Sequence, residues 1–484
     1  MRLPQSPAPQ GACARETSAA GLRLPRDGPL ANQQRAPQHL TDSDPTVHPA
    51  VGVVTAAGGP WWWVPSLYFA QGMPYVVVMT VSVVMYKRLG ISNADIALYT
   101  SWLYLPWVIK PLWSPIVELY ATKRRWTVWA EFAVAATLVM VAVALHSSAF
   151  FTLTLVAFWA MALVSATHDI ACDGFYMLAL PQREAAAFVG VRSTFYRLAM
   201  ITGQGAFVVL AGQIEQRTPD APRVAWIVTF AAIAALFAAL ALWHRSALPR
   251  PTADHAAGVG SAPGDARSRG APPPTFATVV LSFFARPRMW AVLLFLMLYR
   301  FAEAQLVKLV TPFLLDARAD GGLGLTTSQV GVAYGTFGVL ALTAGGLLGG
   351  YLASRHGLRR MLWIFVAAIH LPDLVFVWLS YAQPASLTLI SAAVAIEQFG
   401  YGFGFTAYIL YMMMISRGTQ ATAHYAICTG FMALGMMIPG MFAGALQEHL
   451  GYPHFFLWVI VSTIPGIVVA ALVKIDPDFG KKTA

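Results

Sequence analysis

Of 484 residues, 57% are hydrophobic and 11% charged, less than half the roughly 25% charge of a soluble domain, so a soluble enzyme or free-standing domain is excluded. The long Ala-, Leu-, Val- and Gly-rich runs lack the roughly 10-residue alternation of a membrane β-barrel, which leaves bilayer-spanning α-helices. A net charge of +10 invites a nucleic-acid partner, but Lys and Arg sit mostly at the ends of apolar runs; they read as a topology signal, and no nucleic acid is expected.

Residues 1–58 are rich in Pro, Gln, Ala and Arg and hold no apolar run of membrane length. They are expected to form a disordered cytoplasmic tail, and a start codon placed too early would equally account for them. No signal-peptide core precedes the first span, which is expected to serve as an uncleaved anchor.

Runs near the ~20 residues that cross a bilayer predict spans at 62–86, 97–118, 126–145, 149–179, 187–212 and 222–243. An aperiodic stretch at 245–286, rich in Arg, Gly, Pro, Ala and Asp, predicts a flexible linker. Beyond it spans are expected at 288–315, 327–353, 360–381, 385–415, 421–446 and 453–473, then a short tail from 476. The expectation is an all-α membrane protein of twelve transmembrane helices, six in a bundle over 59–244 and six in a bundle over 287–475.

Charge tests that arrangement. The loops at 119–126, 181–186, 244–289, 353–361 and 416–421, with the residues beyond 473, carry 17 Lys and Arg, whereas the opposite loops carry 5, namely Lys87, Arg88, Arg217, Arg223 and Arg318. The positive-inside rule then puts both termini in the cytoplasm and requires an even number of spans.

The halves also repeat a pattern. Lys110-Pro-Leu-Trp-Ser-Pro-Ile-Val-Glu118 runs on to Lys123-Arg124-Arg125, and Gly349-Gly-Tyr-Leu-Ala-Ser354 runs on to Arg359-Arg360. Aligning Glu118 with Ser354 superposes the basic pairs, so a six-helix unit is used twice. The second copy resembles the signature loop of the major facilitator superfamily, with Ser354 in place of its usual Asp and Glu118 holding the acidic place in a degraded first copy.

Within that superfamily, Tyr68-Phe-Ala-Gln-Gly-Met-Pro74, Lys110-Pro-Leu-Trp-Ser-Pro115, Ser165-Ala-Thr-His-Asp-Ile-Ala-Cys-Asp173, Leu180-Pro-Gln-Arg-Glu184, Tyr196-Arg-Leu198 and Glu397 with its following glycines resemble the AmpG-like permeases of the peptide–acetyl-coenzyme A transporter family. The similarity covers about 62–475. It implies a bacterial inner-membrane protein that imports a cell-wall sugar or muropeptide fragment, driven by protons, and that works as a monomer.

A charge at the bilayer centre costs roughly 2.5–3.5 kcal/mol on insertion scales, so the ionisable residues inside spans are candidates for function. Asp169 and Asp173, four apart, share one helix face; they suit proton carriage, or else a clamp to Arg192 or Arg197 of span five. Arg300 and Lys308 lie on one side of span seven and would suit an anionic substrate, unless Arg300 bridges internally to Glu303. Glu397, beside Gly400, Gly402 and Gly404, is a further proton candidate with Glu303, whereas Asp373 follows Pro372 and reads as structural. His168 and Glu131 complete the buried set.

Gln71, Tyr75 and Lys110 are candidates for gripping a sugar, with Arg197 as a further substrate contact. Lys110 stands between Pro106 and Pro111, where irregular backbone at membrane depth lines a cavity. Trp102, Tyr104, Trp107 and Trp113 suit either sugar stacking or interfacial and packing roles. The central site is expected between spans one, four, seven and ten.

The spacings Gly331/Gly335, Gly345/Gly349 and Gly346/Gly350 read as helix packing. There is no Walker motif, and Cys13, Cys172 and Cys428 stand apart with no Cys/His cluster, so neither cofactor nor metal is expected. A transporter is favoured over two rivals. A membrane enzyme acting on lipid-linked sugars would gather its acids at a membrane face or in a sizeable loop, and a non-transporting sensor of wall fragments would bind without flux.

Overall fold

The computed structural model describes residues 59–219, 221–251, 254, 276–418, 421–477 and 479. The 1–58 tail with Cys13, most of the 245–286 linker and the side chain of Glu118 lie outside the described residues. The described residues are almost wholly helical, with no strand among them.

Nine of their helices are long and apolar enough to cross a membrane. These are α1 Pro60–Arg88, α3 Lys123–Ala144, α4 Phe150–Ala179, α5 Ala187–Arg217, α6 Pro222–Ala247, α7 Met289–Leu315, α8 Thr327–His356, α9 Leu358–Ala382 and Ala423–Leu472. The last contains Gly451 at φ +72°, a backbone region open to glycine, so it divides into α11 (421–450) and α12 (452–472). Leu387–Ile415 forms α10. A broken run at 93–119 forms α2, built from Asn93–Trp102, Leu105–Ile109, Lys110–Leu112 and Ser114–Leu119. The breaks in α2 follow from Pro106, Pro111 and Pro115, which lack the N–H a continuous helix needs. The arrangement is consistent with the twelve spans expected.

Packing follows the small residues. In the first half α1 packs on α4 and α5, and α3 on α4 and α6; in the second, α10 packs on α8 and α9, and α7 on α11. Between the halves α2 meets α11 and α5 meets α8. Gly331 and Gly335 of α8 abut the α5 backbone at Gly205 and Gln204, and Gly345 and Gly349 abut α10 at Phe399 and Phe403, so these spacings do pack helices. Gly350 faces open space. Where α5 and α8 meet, both adopt π-helical turns, Ile201–Phe207 and Gly331–Gly338, a local widening often found at functional sites.

Part of the expected linker has structure. α6 runs on to Ala247, and Asp254 accepts from the N–H groups of Lys123 (2.7 Å) and Arg124 (3.0 Å), placing a carboxylate at the N-terminus of α3. The apolar run Phe276–Phe284 adds a short helix before α7. In the second half the N–H of Leu358, at the start of α9, donates to the carbonyl of Phe479. In each half, then, the chain beyond the sixth helix returns to the start of the third.

Candidate functional site

A cavity of about 400 Å³ lies between the halves. α1 contributes Gln71 and Tyr75, α2 Tyr104, Trp107 and Lys110, α4 Ser165 and Asp169, and α7 Arg300 and Lys308. Expected from spans one, four, seven and ten, the lining also draws on α2, α5, α8 and α11, through Tyr196, Gln204, Tyr334 and Met432 among others. The proline breaks turn α2 inward, and the glycine-mediated contact of α5 with α8 brings those two helices to the cavity wall.

Lys110 Nζ lies 2.7 Å from Asp169 Oδ2, while the Gln71 amide donates to Asp169 Oδ1. The clamp of Asp169 to an arginine of span five therefore does not form; its base comes from α2. Asp173 does pair with Arg192, at 2.7 Å, and accepts from the Tyr68 hydroxyl at 3.1 Å. Two carboxylates one turn apart thus take separate partners, one in the central cavity and one outside it.

Arg300 does not bridge to Glu303. Its guanidinium donates to the Tyr401 hydroxyl and lies 4.6 Å from the Phe405 ring centroid. Lys308 Nζ donates to Thr100 Oγ1 at 3.0 Å and sits 5.3 Å from the Tyr104 ring centroid, reaching across to the first half. Arg197 stands outside the central cavity, 3.5 Å from Thr343 Oγ1. Tyr75 packs edge-on against Trp107, Trp113 donates to Thr167, and Trp102 is 40% exposed. Three cations and one carboxylate, Lys110, Arg300, Lys308 and Asp169, line the central cavity.

The cavity is open at one end and shut at the other. A wider vestibule of about 1030 Å³ shares Gln71, Tyr196, Met200, Leu342, Tyr401 and Phe405 with it and extends past Arg192 and Arg197 to Ser416 and Ala421, the end carrying the Arg-rich loops. At the opposite end the halves are tied together. Lys87 meets Asp316 at 2.6 Å, and Asn93 donates to Gln447 (2.7 Å) and Tyr452 (3.0 Å). Glu215 accepts from Arg88 at 3.1 Å and from Thr327 at 2.5 Å.

Glu303 and Glu397 do not line the cavity. They are fully buried and meet Asp373, with one carboxylate oxygen of each within 4.8 Å of the others. Sequence reasoning missed this third member, because Pro372 suggested only a kink. The kink exists, as a tight turn over Leu371–Asp373, and it turns the carboxylate toward the other two. Glu131, noted only as buried, accepts on Oε1 from His244 Nδ1 at 2.7 Å, with His168 Nε2 at 3.4 Å. Of the missed lining residues, Tyr196 stood in a resemblance motif beside Arg197 and Gln398 beside Glu397, whereas Tyr401, one helical turn after Glu397, carried no signal of its own.

The chain is similar to the anhydromuropeptide permease of Escherichia coli strain K12, 26% identical over 442 residues that cover 86% of this chain and 82% of the permease. It is also similar to a Rickettsia conorii protein described as putative transporter AmpG 4, 25% identical over 423 residues, covering 83% and 94%. In fold it matches a mutant of the nucleoside transporter NupG, with a TM-score of 0.64 at 16% identity over 85% of this chain and 98% of that one. A D-xylose–proton symporter matches with a TM-score of 0.61 at 11% identity, over 85% and 96%. These relatives bear out the AmpG-like resemblance and the major facilitator fold, and with them a multi-pass membrane transporter of small molecules. The sequence pattern of the BT1 family matches residues 71–377, and the chain belongs to that family.

Proposed function

We propose that this transporter imports a carboxylate-bearing, sugar-containing small molecule, a muropeptide or amino-sugar fragment of the cell wall, together with protons. The observation that carries the reading is the cavity lining. Lys110, Arg300 and Lys308 outnumber the one acid, Asp169, among aromatic and amide side chains. Such a surface favours an anion, with Arg300 able to offer a fork to a carboxylate and Gln71, Tyr75 and Trp107 suited to a sugar ring. The name of the Escherichia coli relative points to the same substrate class.

With the basic loops in the cytoplasm, the open vestibule faces inward and the Lys87–Asp316 and Thr327–Glu215 ties close the outer end. Transport then proceeds by rocking of one six-helix bundle, 59–244, against the other, 287–475. Asp169, Asp173, Glu303 and Glu397 are the proton carriers of this reading, and Arg197 guides substrate at the vestibule.

Uptake of labelled muropeptide or N-acetylglucosamine-containing fragments into liposomes holding the purified chain tests it. Accumulation should rise when the outside is made acidic and fall in Asp169→Asn and Glu397→Gln. Uptake indifferent to the imposed gradient, or intact in Asp169→Asn, Asp173→Asn and Glu397→Gln alike, overturns the proton role. Saturable binding with no flux overturns transport in favour of a sensor.

A further inference from the structure

We propose that Glu303, Asp373 and Glu397 form a binding site for a hard metal cation, sodium or calcium, set between α7, α9 and α10. No metal is expected from the sequence; convergence of three distant carboxylates creates the site. It shares Glu303 and Glu397 with the proton reading above and so rests on their being exchangeable sites, adding Asp373 and a metal ion to them.

Two observations point to a ligand. One oxygen from each carboxylate lies within 4.8 Å of the other two. Oxygens around a hard cation at 2.3–2.6 Å can stand up to about 4.6–5.2 Å apart, so the three lie close enough to share one ion. Independently, both oxygens of Glu303, both of Asp373 and Oε1 of Glu397 have no hydrogen-bond partner, although the three residues are 0%, 1% and 1% exposed.

The surroundings supply one charge, Arg300, that acts on Glu303 through space without an ion pair. The one hydrogen bond to the group is from the Gln398 amide to Glu397 Oε2, at 3.0 Å, and among the described residues no ion pair reaches it. Arg300, one turn from Glu303, is turned away to Tyr401. Acids this deep in apolar surroundings are costly unless they are neutralised. An oxygen-seeking cation would use the bare oxygens together and neutralise them in one step.

The site also has a frame. Gly400 lies against the Ala368 carbonyl and the Pro372 ring, holding α10 on the break in α9 that presents Asp373. Gln398, adjacent to Glu397, lines the central cavity, as does Tyr334, so a thin wall separates the triad from the substrate space. An ion bound there would join α7, which carries Arg300 and Lys308, to the α9–α10 pair.

The test uses the full chain in lipid nanodiscs and measures equilibrium binding of radioactive sodium and, separately, radioactive calcium by scintillation proximity. Saturable binding of one ion is expected, weakened at least about tenfold in Asp373→Asn and in Glu303→Gln. It should be retained in Asp320→Asn, which removes an exposed acid from a loop. Monodisperse gel filtration of each variant guards against misfolding. Absence of saturable binding of either ion to the wild-type chain, or binding that survives Asp373→Asn, overturns the site. Uptake measured on the same preparations separates the two readings. Proton-driven uptake without metal binding sinks the metal site alone, whereas metal binding with uptake indifferent to pH sinks the proton role alone.

Discussion

In the first half, Glu131 meets His168 and His244, Asp169 meets Lys110, Asp173 meets Arg192 and Glu215 meets Arg88, whereas in the second half Glu303, Asp373 and Glu397 meet one another and a single amide. The two arrangements do different physical work. An acid with a base on a neighbouring helix joins the two helices, because removing either partner strands the other in a poor solvent. An acid with no base joins nothing until a proton or a cation arrives, and so is free to respond to one. The deeply buried acid of the first half, Glu131, is partnered and holds structure; the second half, beside its paired Asp316, keeps three buried acids without a base that can take up and release a ligand.

The largest effect expected from this contrast is at Glu131. His244 reaches it from α6 and passes on to Ser66 of α1 through Nε2, at 2.9 Å, while His168 reaches it from α4. Glu131→Leu keeps most of the volume but leaves both imidazoles without their acceptor, at a cost of about 2–4 kcal/mol. Thermal melting of the purified protein should show a large drop. An unchanged melting temperature would break the comparison on its first-half side.

A smaller effect belongs to the Lys110–Asp169 pair, whose side chains are 25% and 23% exposed. Cavity water screens them, so Asp169→Asn should cost about 1 kcal/mol of stability. The double variant Lys110→Met with Asp169→Asn should recover part of that, giving a coupling energy of similar size in the cycle. Strictly additive single changes would show that the 2.7 Å contact contributes nothing. Uptake, by contrast, should be lost in both, since each change removes a group that faces the cavity.

Much of this was legible from the chain because the signals are local. Length of apolar run, placement of Lys and Arg at run ends, and prolines either side of Lys110 each depend on a few neighbours in sequence. Helix pairing is not local. Asp169 and Asp173 share a helix face, yet one takes a base from α2 and the other from α5, a choice fixed by the inward bend of α2. Asp373 is the clearest case: Pro372 announced a kink, but that the kink faces Glu303 and Glu397 depends on how α9 packs on α10 through Gly400 and Gly404. The π-helical turns of α5 and α8 were hidden for the same reason, since their glycines signal close contact but not the extra residue in the turn.

The smallest effect is expected at Asp373, and it decides whether the second-half acids are bare. Asp373→Asn removes charge from a fully buried group with no partner, so stability without added metal should change by no more than about 0.5 kcal/mol, or rise. The wild-type chain should gain stability as the bound ion is titrated in, by about 2.7 kcal/mol at a hundred times its dissociation constant, and the variant should gain much less. A loss as large as that of Glu131→Leu would mean that Asp373 already has a structural partner, and the distinction between the halves would fail at its most exposed point. A wild-type chain that melts identically with and without sodium or calcium would instead leave the acids bare of metal and their neutralisation to protons, keeping the contrast between the halves while removing the ion from it.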